Sequence, residues 1–198
     1  MTRRAMQLRG HECYSFDFKP AEDGETQYHI IGDFSPHIDD TSFDLAIFHP
    51  TCRYNANSGA KHLYKGMKKE NGICPDRWGK MKEGALFVRR CIESKIKRKA
   101  VEHPIVHCHA RKIIGRKPSQ IIHPWWFGHK EMKATAFYLE NLLPLVPSNI
   151  VGPPPKNPIE RRAWAKCHRE PPGPEREANR SRTLQGYADA YADQWGNA

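Results

Sequence analysis

Between Arg77 and Ile92 the apolar residues Trp78, Met81, Ala85, Val88 and Ile92 recur at alternating steps of three and four, with basic residues turned outward. That is the period of an amphipathic helix. It stands between two short apolar runs, Phe43 to Phe48, stopped by His49-Pro50, and Lys99 to Glu102, stopped by His103-Pro104. Strand, helix, strand is the pattern of a parallel unit. Upstream, Glu12 to Phe18 and Tyr28 to Gly32 carry further strand signals, and each ends beside a polar turn. Downstream, so do Gln120 to His123 and Ala134 to Leu139. Strands alternating with helices predict an α/β sheet. Met1, Ala5 and Leu8 share one helical face with Gly10 as its C-cap, so the sequence opens inside or near the end of a helix.

Nine of the 16 prolines fall between Pro144 and Pro174, and proline is not tolerated inside regular elements. This stretch is expected to be irregular. Leu184, Tyr187, Ala188, Tyr191, Ala192 and Trp195 then recover helical spacing. With 198 residues and 38% hydrophobic content, one core is the expectation. That gives a single domain over 1–198 with a proline-rich insert at about 142–179. Six cysteines without a C-x-x-C pair fit reduced thiols better than a disulfide framework. No apolar run is long enough to span a bilayer and the N-terminus has no signal-peptide core. The expectation is a soluble, cytoplasmic protein.

The formal net charge is +10, and its placement is informative. Between Lys61 and Lys99 stand 13 Lys or Arg against four acids. Such a block can neutralise phosphates in nucleic acid. A solvated helix face is the bland alternative.

In open α/β sheets ligands bind beyond the carboxyl ends of the strands. The residues there are Asp17, Asp33, His49-Pro50-Thr51-Cys52 and Glu102. Acids at strand ends are commonly turn formers, and most free cysteines are small buried hydrophobes. Cys52, however, follows a strand and a proline, and neighbouring parallel strands would bring its thiol and the Glu102 carboxyl toward one pocket.

These residues carry a resemblance. Phe43-Asp-Leu-Ala-Ile-Phe-His-Pro-Thr-Cys52 is similar to the stretch ending in Pro-Cys or Pro-Pro-Cys of the cytosine-C5 DNA methyltransferases, and Val101-Glu-His-Pro104 to that family's Glu-Asn-Val or Glu-Asn-Pro element. Phe127-Gly-His-Lys-Glu-Met-Lys-Ala-Thr-Ala-Phe-Tyr138 resembles its Phe-Gly...Gln-x-Arg-x-Arg strand. Arg182-Thr-Leu-Gln-Gly-Tyr-Ala-Asp189 and Gln194-Trp-Gly-Asn-Ala198 resemble its Arg-Leu-Gln-Gly-Phe-Pro-Asp and Gln-x-Gly-Asn-Ala elements. Order and spacing agree from about residue 11 to the end, and short phage-type members carry similar His-Pro-Pro-Cys and Ala-Asp-Gln-Trp-Gly runs. The resemblance implies a Rossmann-like fold, S-adenosylmethionine as methyl donor, DNA as partner, and a role in DNA modification against restriction. Cys52 is then the nucleophile and Glu102 its acidic partner. Asp17, Asp33, Phe34, Pro50 and Asn197 are implied cofactor contacts. Lys133, Thr135, Arg180 and Arg182 are implied DNA contacts, to which the charge pattern adds Arg89 and Arg90.

Three departures shape the expectation. Met1 to Gly10 reads as the tail of the helix that follows the family's first strand and Gly-rich loop, so the chain is expected to lack both, to bind S-adenosylmethionine weakly, and to cover exposed sheet edges by forming a homo-oligomer. Lys133 and Thr135 stand where the family has an Arg-x-Arg pair, and neither reproduces a guanidinium fork. The proline-rich insert is also short for a target-recognition region. The rival reading is a methyltransferase-like DNA-binding protein without catalysis. A metal site on His107-Cys108-His109, Cys167-His168 and His123 or His129 matches no justified zinc spacing, so no metal is expected.

Overall fold

The computed structural model describes residues 1–196. It is α/β, with helices and a mixed sheet, in two compact units, one comprising Met1–Ile38, His123–Lys133 and Leu145 onward, the other Asp39–Ile122 and Ala134–Pro144.

The second unit holds a four-stranded sheet in the order β3-β4-β6-β5, where β3 is Leu45–Phe48, β4 Arg98–Pro104, β5 Gln120–Ile122 and β6 Thr135–Glu140. β3 and β4 are parallel, with Leu45 opposite Arg98 and Phe48 opposite Val101. β6 runs antiparallel to both β4 and β5. The crossover from β3 to β4 carries helix α2, Pro75–Ile92, as the apolar period predicts. Met81, Ala85, Val88, Cys91 and Ile92 are its buried residues, and the sheet's share of the core includes Ala100, Val101, Ile122 and Phe137. Two devices fix the α2–β4 turn. The buried Lys99 ammonium donates to the carbonyls of Ser94 (2.8 Å) and Ile96 (3.0 Å), and the Asp39 carboxylate accepts from the backbone N–H of Lys95 (2.9 Å) and from Arg90. Helix α3, Cys108–Ile114, has no strong periodic signal. It starts because the His107 imidazole accepts from the Ala110 N–H and stops at Gly115, which adopts the left-handed conformation.

In the first unit β1, Ser15–Asp17, pairs in parallel with β2, His29–Ile31. Helix α1, Thr2–Gln7, packs against the C-terminal helix, Gln185–Trp195. The latter buries Tyr187, Tyr191 and Trp195, four residues apart, with Tyr191 and Trp195 stacked at 5.1 Å and Phe127 edge-on to Tyr187 at 5.4 Å. Arg9 joins these helices by bonding Asp193. The proline-rich stretch departs from the irregular course expected of it, because it contains short helices at Pro158–Ala163, Lys166–Arg169 and Arg176–Ser181. The prolines fall where helices tolerate them. Pro158 occupies a first helical position behind the Asn157 cap, and Pro171, Pro172 and Pro174 lie between helices. By order in the chain, the helix from Pro158 is α4, those from Lys166 and Arg176 are α5 and α6, and the C-terminal helix is α7.

Two glycines in helices separate packing from propensity. A methyl group on Gly186 would overlap the carbonyl oxygen of Phe127, whereas one on Gly79 meets nothing within 4 Å. Gly186→Ala should therefore destabilise by about 1–3 kcal/mol through overpacking, and Gly79→Ala should stabilise by about 0.5–1 kcal/mol. Opposite shifts in thermal midpoint check the placement of both.

Candidate active site

β3 and β4 deliver their residues to one end of the second unit because they are parallel. Continuing their register one step past Phe48 and Val101 sets His49 opposite Glu102. Their side chains meet there, with His49 Nδ1 3.1 Å from Glu102 Oε2. The carboxyl is largely shielded, 13% exposed against 42% for the imidazole. Pro50 is buried and turns the chain out of β3, so that Cys52 lies half-buried at the start of the next loop.

That loop is pinned by the segment that leaves β4. The Cys52 carbonyl accepts from the N–H groups of Asn55 and Ala56, both at 3.1 Å. The Asn57 N–H donates to the Ile105 carbonyl (2.8 Å) and the His107 N–H to the Asn55 carbonyl (3.1 Å). An isolated bridge pairs Ala56 with Val106. His107 adds a side-chain bond, with Nε2 3.1 Å from the Tyr54 carbonyl and Nδ1 accepting from Ala110. Nδ1 accepts only when unprotonated, so the neutral ring with a proton on Nε2 fits both bonds. Asn55 is fully buried and leans on α2 where Gly84 leaves room, since a methyl on Gly84 would come within 3.0 Å of the Asn55 amide nitrogen. Sequence reasoning missed His49, Asn55 and His107 as supports of Cys52 and Glu102. The strand register would have found His49. Nothing local marks Asn55 or His107, because their partners are 50 or so residues away.

The implied cofactor residues are divided. Asp17, Asp33 and Phe34 lie together in the first unit, at the carboxyl end of β1 and β2, where the Gly32 N–H bonds the Asp17 carbonyl (3.0 Å). Phe34 meets Phe16 edge-on at 4.8 Å. Both carboxylates also form turns. Asp17 accepts from the Lys19 N–H (3.0 Å), while Asp33 accepts from the Ser35 N–H (2.9 Å) and hydroxyl (2.8 Å), bonds that lower its pKa. Pro50 belongs to the second unit, and Asn197 lies outside the described residues.

The implied DNA contacts are likewise dispersed. Lys133 and Arg182 line one pocket of about 240 Å³ with His129, Thr183, Leu184 and Gln185. The Lys133 ammonium donates to the Arg182 carbonyl (3.2 Å) and Arg182 pairs with Glu22 (2.9 Å). Thr135 is buried in β6, opposite Pro104. Arg180 is half-buried. Arg89 pairs with Glu93 at 2.8 Å and Arg90 with Asp39. Among the described residues no group of three His, Cys, Asp or Glu is placed to hold a metal ion, and no helix is long and apolar enough to cross a membrane.

Burial lowers the pKa of both His103 and His107. Depressed histidines keep the native state neutral while the unfolded chain takes up protons near pH 6.5, so their contribution to stability is complete above that value and is lost as pH falls toward their folded values. The urea midpoint should drop between pH 7.5 and 5.5. His107→Asn, which keeps a helix cap, should show a smaller drop, and an equal drop would contradict the assignment. Neither a family model nor any curated protein nor any solved structure matches this chain, so its function has to be read from the chemistry of these residues.

Proposed function

We propose that the chain is a DNA cytosine-C5 methyltransferase of Rossmann-like type, with Cys52 as nucleophile and Glu102 as the acid opposite it. The observation that carries this reading is the knitting of two chemistries at one strand end: Glu102 lies near the end of β4, and the residues that follow it clamp the loop that begins at Cys52. A thiol on a loop clamped by the segment that follows a shielded carboxyl suits conjugate addition to a pyrimidine. The Cys52 thiolate adds to C6 of an extruded cytosine while Glu102 supplies a proton to N3, and the electrons freed at C5 make that carbon nucleophilic. S-adenosylmethionine, when bound, supplies the electrophilic methyl group. Loss of the C5 proton to water then expels the thiolate, and N3 returns its proton to the Glu102 carboxylate. His49 holds the Glu102 carboxyl toward this end of the sheet.

The residues proposed for the cofactor suit its adenosine part. Asp17 and Asp33 are exposed acids on adjoining turns and Phe34 offers a ring beside them. One observation favours a second reading, a methyltransferase-like DNA-binding protein without catalysis: an oxygen of each carboxylate is already engaged by its own turn.

Transfer of a labelled methyl group from S-adenosylmethionine to mixed-sequence duplex DNA separates the two. Under the proposal the parent methylates, Cys52→Ala abolishes transfer, Glu102→Gln lowers it about 10²-fold or more, and Cys108→Ala, at an exposed thiol, leaves it unchanged. DNA binding without any transfer by the parent establishes the second reading instead.

A further inference from the structure

The excess charge that makes this chain basic is not uniform in its pairing. Around the C-terminal end of α2 four cations are already engaged, Arg89 on Glu93, Arg90 on Asp39, Arg98 on the Asp44 carbonyl and Lys99 on two carbonyls inside the fold, while Lys95 and Lys97 are exposed. The opposite end differs. From Arg53 to Lys80 there are seven Lys or Arg against two acids, and among the described residues none of Arg53, Lys61, Lys69, Arg77 and Lys80 makes an ion pair with an acid. Three of them converge on a single ring. The Arg77 guanidinium lies 5.1 Å from the centroid of Tyr54, that of Arg53 5.8 Å, and the Lys80 ammonium 5.9 Å. Beside them Lys69 stands 5.9 Å over Tyr64, which contacts Trp78 and bonds His109 at 3.0 Å.

Three like charges around one ring repel one another, and a ring face offsets only part of that repulsion. An anion bridging them removes the rest. The same field acts on His62, whose pKa is lowered by burial and then by Arg77 and Lys61. Unpaired cations interleaved with half-exposed aromatic rings are the combination that grips a nucleic-acid strand by its phosphates.

We propose that Tyr54 is the hub of a phosphodiester-binding surface formed by Arg53, Lys61, Lys69, Arg77 and Lys80, and that DNA is held there rather than at Arg89 and Arg90. The proposal rests on the nucleic-acid reading above and names the face that reading uses. Tyr54 positions its cations and touches no reacting atom. Because its carbonyl is bonded to His107 and it stands two residues from Cys52, a strand seated on this surface passes the mouth of the candidate active site.

Fluorescence anisotropy with a labelled duplex of about 20 base pairs across a salt series tests it. Arg53→Gln/Arg77→Gln/Lys80→Gln should weaken binding at least tenfold at low salt and reduce the slope of log affinity against log salt by about 2–3, near 0.9 for each phosphate no longer neutralised. The double variant Arg53→Gln/Lys80→Gln, confined to exposed side chains, should give an intermediate loss and decides the matter if the triple variant fails to fold. Arg89→Gln/Arg90→Gln should bind within twofold of the parent. Tyr54→Phe should bind like the parent and Tyr54→Leu more weakly, since the ring face and not the hydroxyl gathers the cations. Parent-like binding by the triple and double variants together with loss in Arg89→Gln/Arg90→Gln overturns the surface and leaves the nucleic-acid reading standing. A parent that binds no DNA overturns both.

Discussion

Parallel pairing of β3 with β4 is the constraint on which the candidate site depends. Two strands joined by a helix can run side by side in the same direction only if the crossover is long enough to return the chain, and α2 with the loop before it supplies that return. Once the register sets Phe48 opposite Val101, the positions of the following residues are no longer independent. His49 meets Glu102, and the loop from Cys52 falls beside Ile105 to His107, where backbone bonds close on it. A slip of one residue would turn Glu102 to the other face of the sheet and separate it from His49. The anchors at the far end of α2, Lys99 on its two carbonyls and Asp39 on Lys95, hold that register from outside the site.

Much of this arrangement was legible in the sequence. The six strands, α1, α2 and α7 fall within or close to the expected segments because each rests on a strong local signal, a period of apolar residues or a stop at Pro, Gly or Asp. α3 was not legible, since its cap is a histidine and its seven residues are too few to show a period. The short helices around Pro158 and Arg176 were hidden for a different reason: proline density argues against helix interiors and is silent about first turns. Placement of Cys52 in the loop after β3 and of Glu102 near the end of the parallel β4 followed from topology, whereas Asn55 and His107 act through contacts that no spacing rule encodes.

Charge shows the same division between pattern and partner. Composition marks 61–99 as basic but cannot say which cations are satisfied. Geometry sorts them, pairing Arg89 and Arg90 with acids and leaving Arg77 and Lys80, joined by Arg53 from upstream, around Tyr54. Exposed ion pairs such as Arg89–Glu93 contribute about 0–1 kcal/mol, so an incoming phosphate could displace them, yet it gains more where no carboxylate has to be displaced. Asp17 and Asp33 present the converse case, acids that the family resemblance reads as ligand contacts and that the backbone uses to close turns.

The proposed chemistry requires a covalent bond between the Cys52 thiolate and cytosine. A duplex carrying 5-fluorocytosine, incubated with the full chain and S-adenosylmethionine, tests it most directly, because fluorine at C5 cannot leave as a proton does and the adduct accumulates. The expected result is a denaturant-stable complex whose peptide map places the crosslink on Cys52, absent from Cys52→Ser and insensitive to loss of the buried Cys91, whose pKa burial pushes up to about 12. A crosslink mapped to another cysteine, or no complex from a chain that demonstrably methylates cytosine, would contradict it.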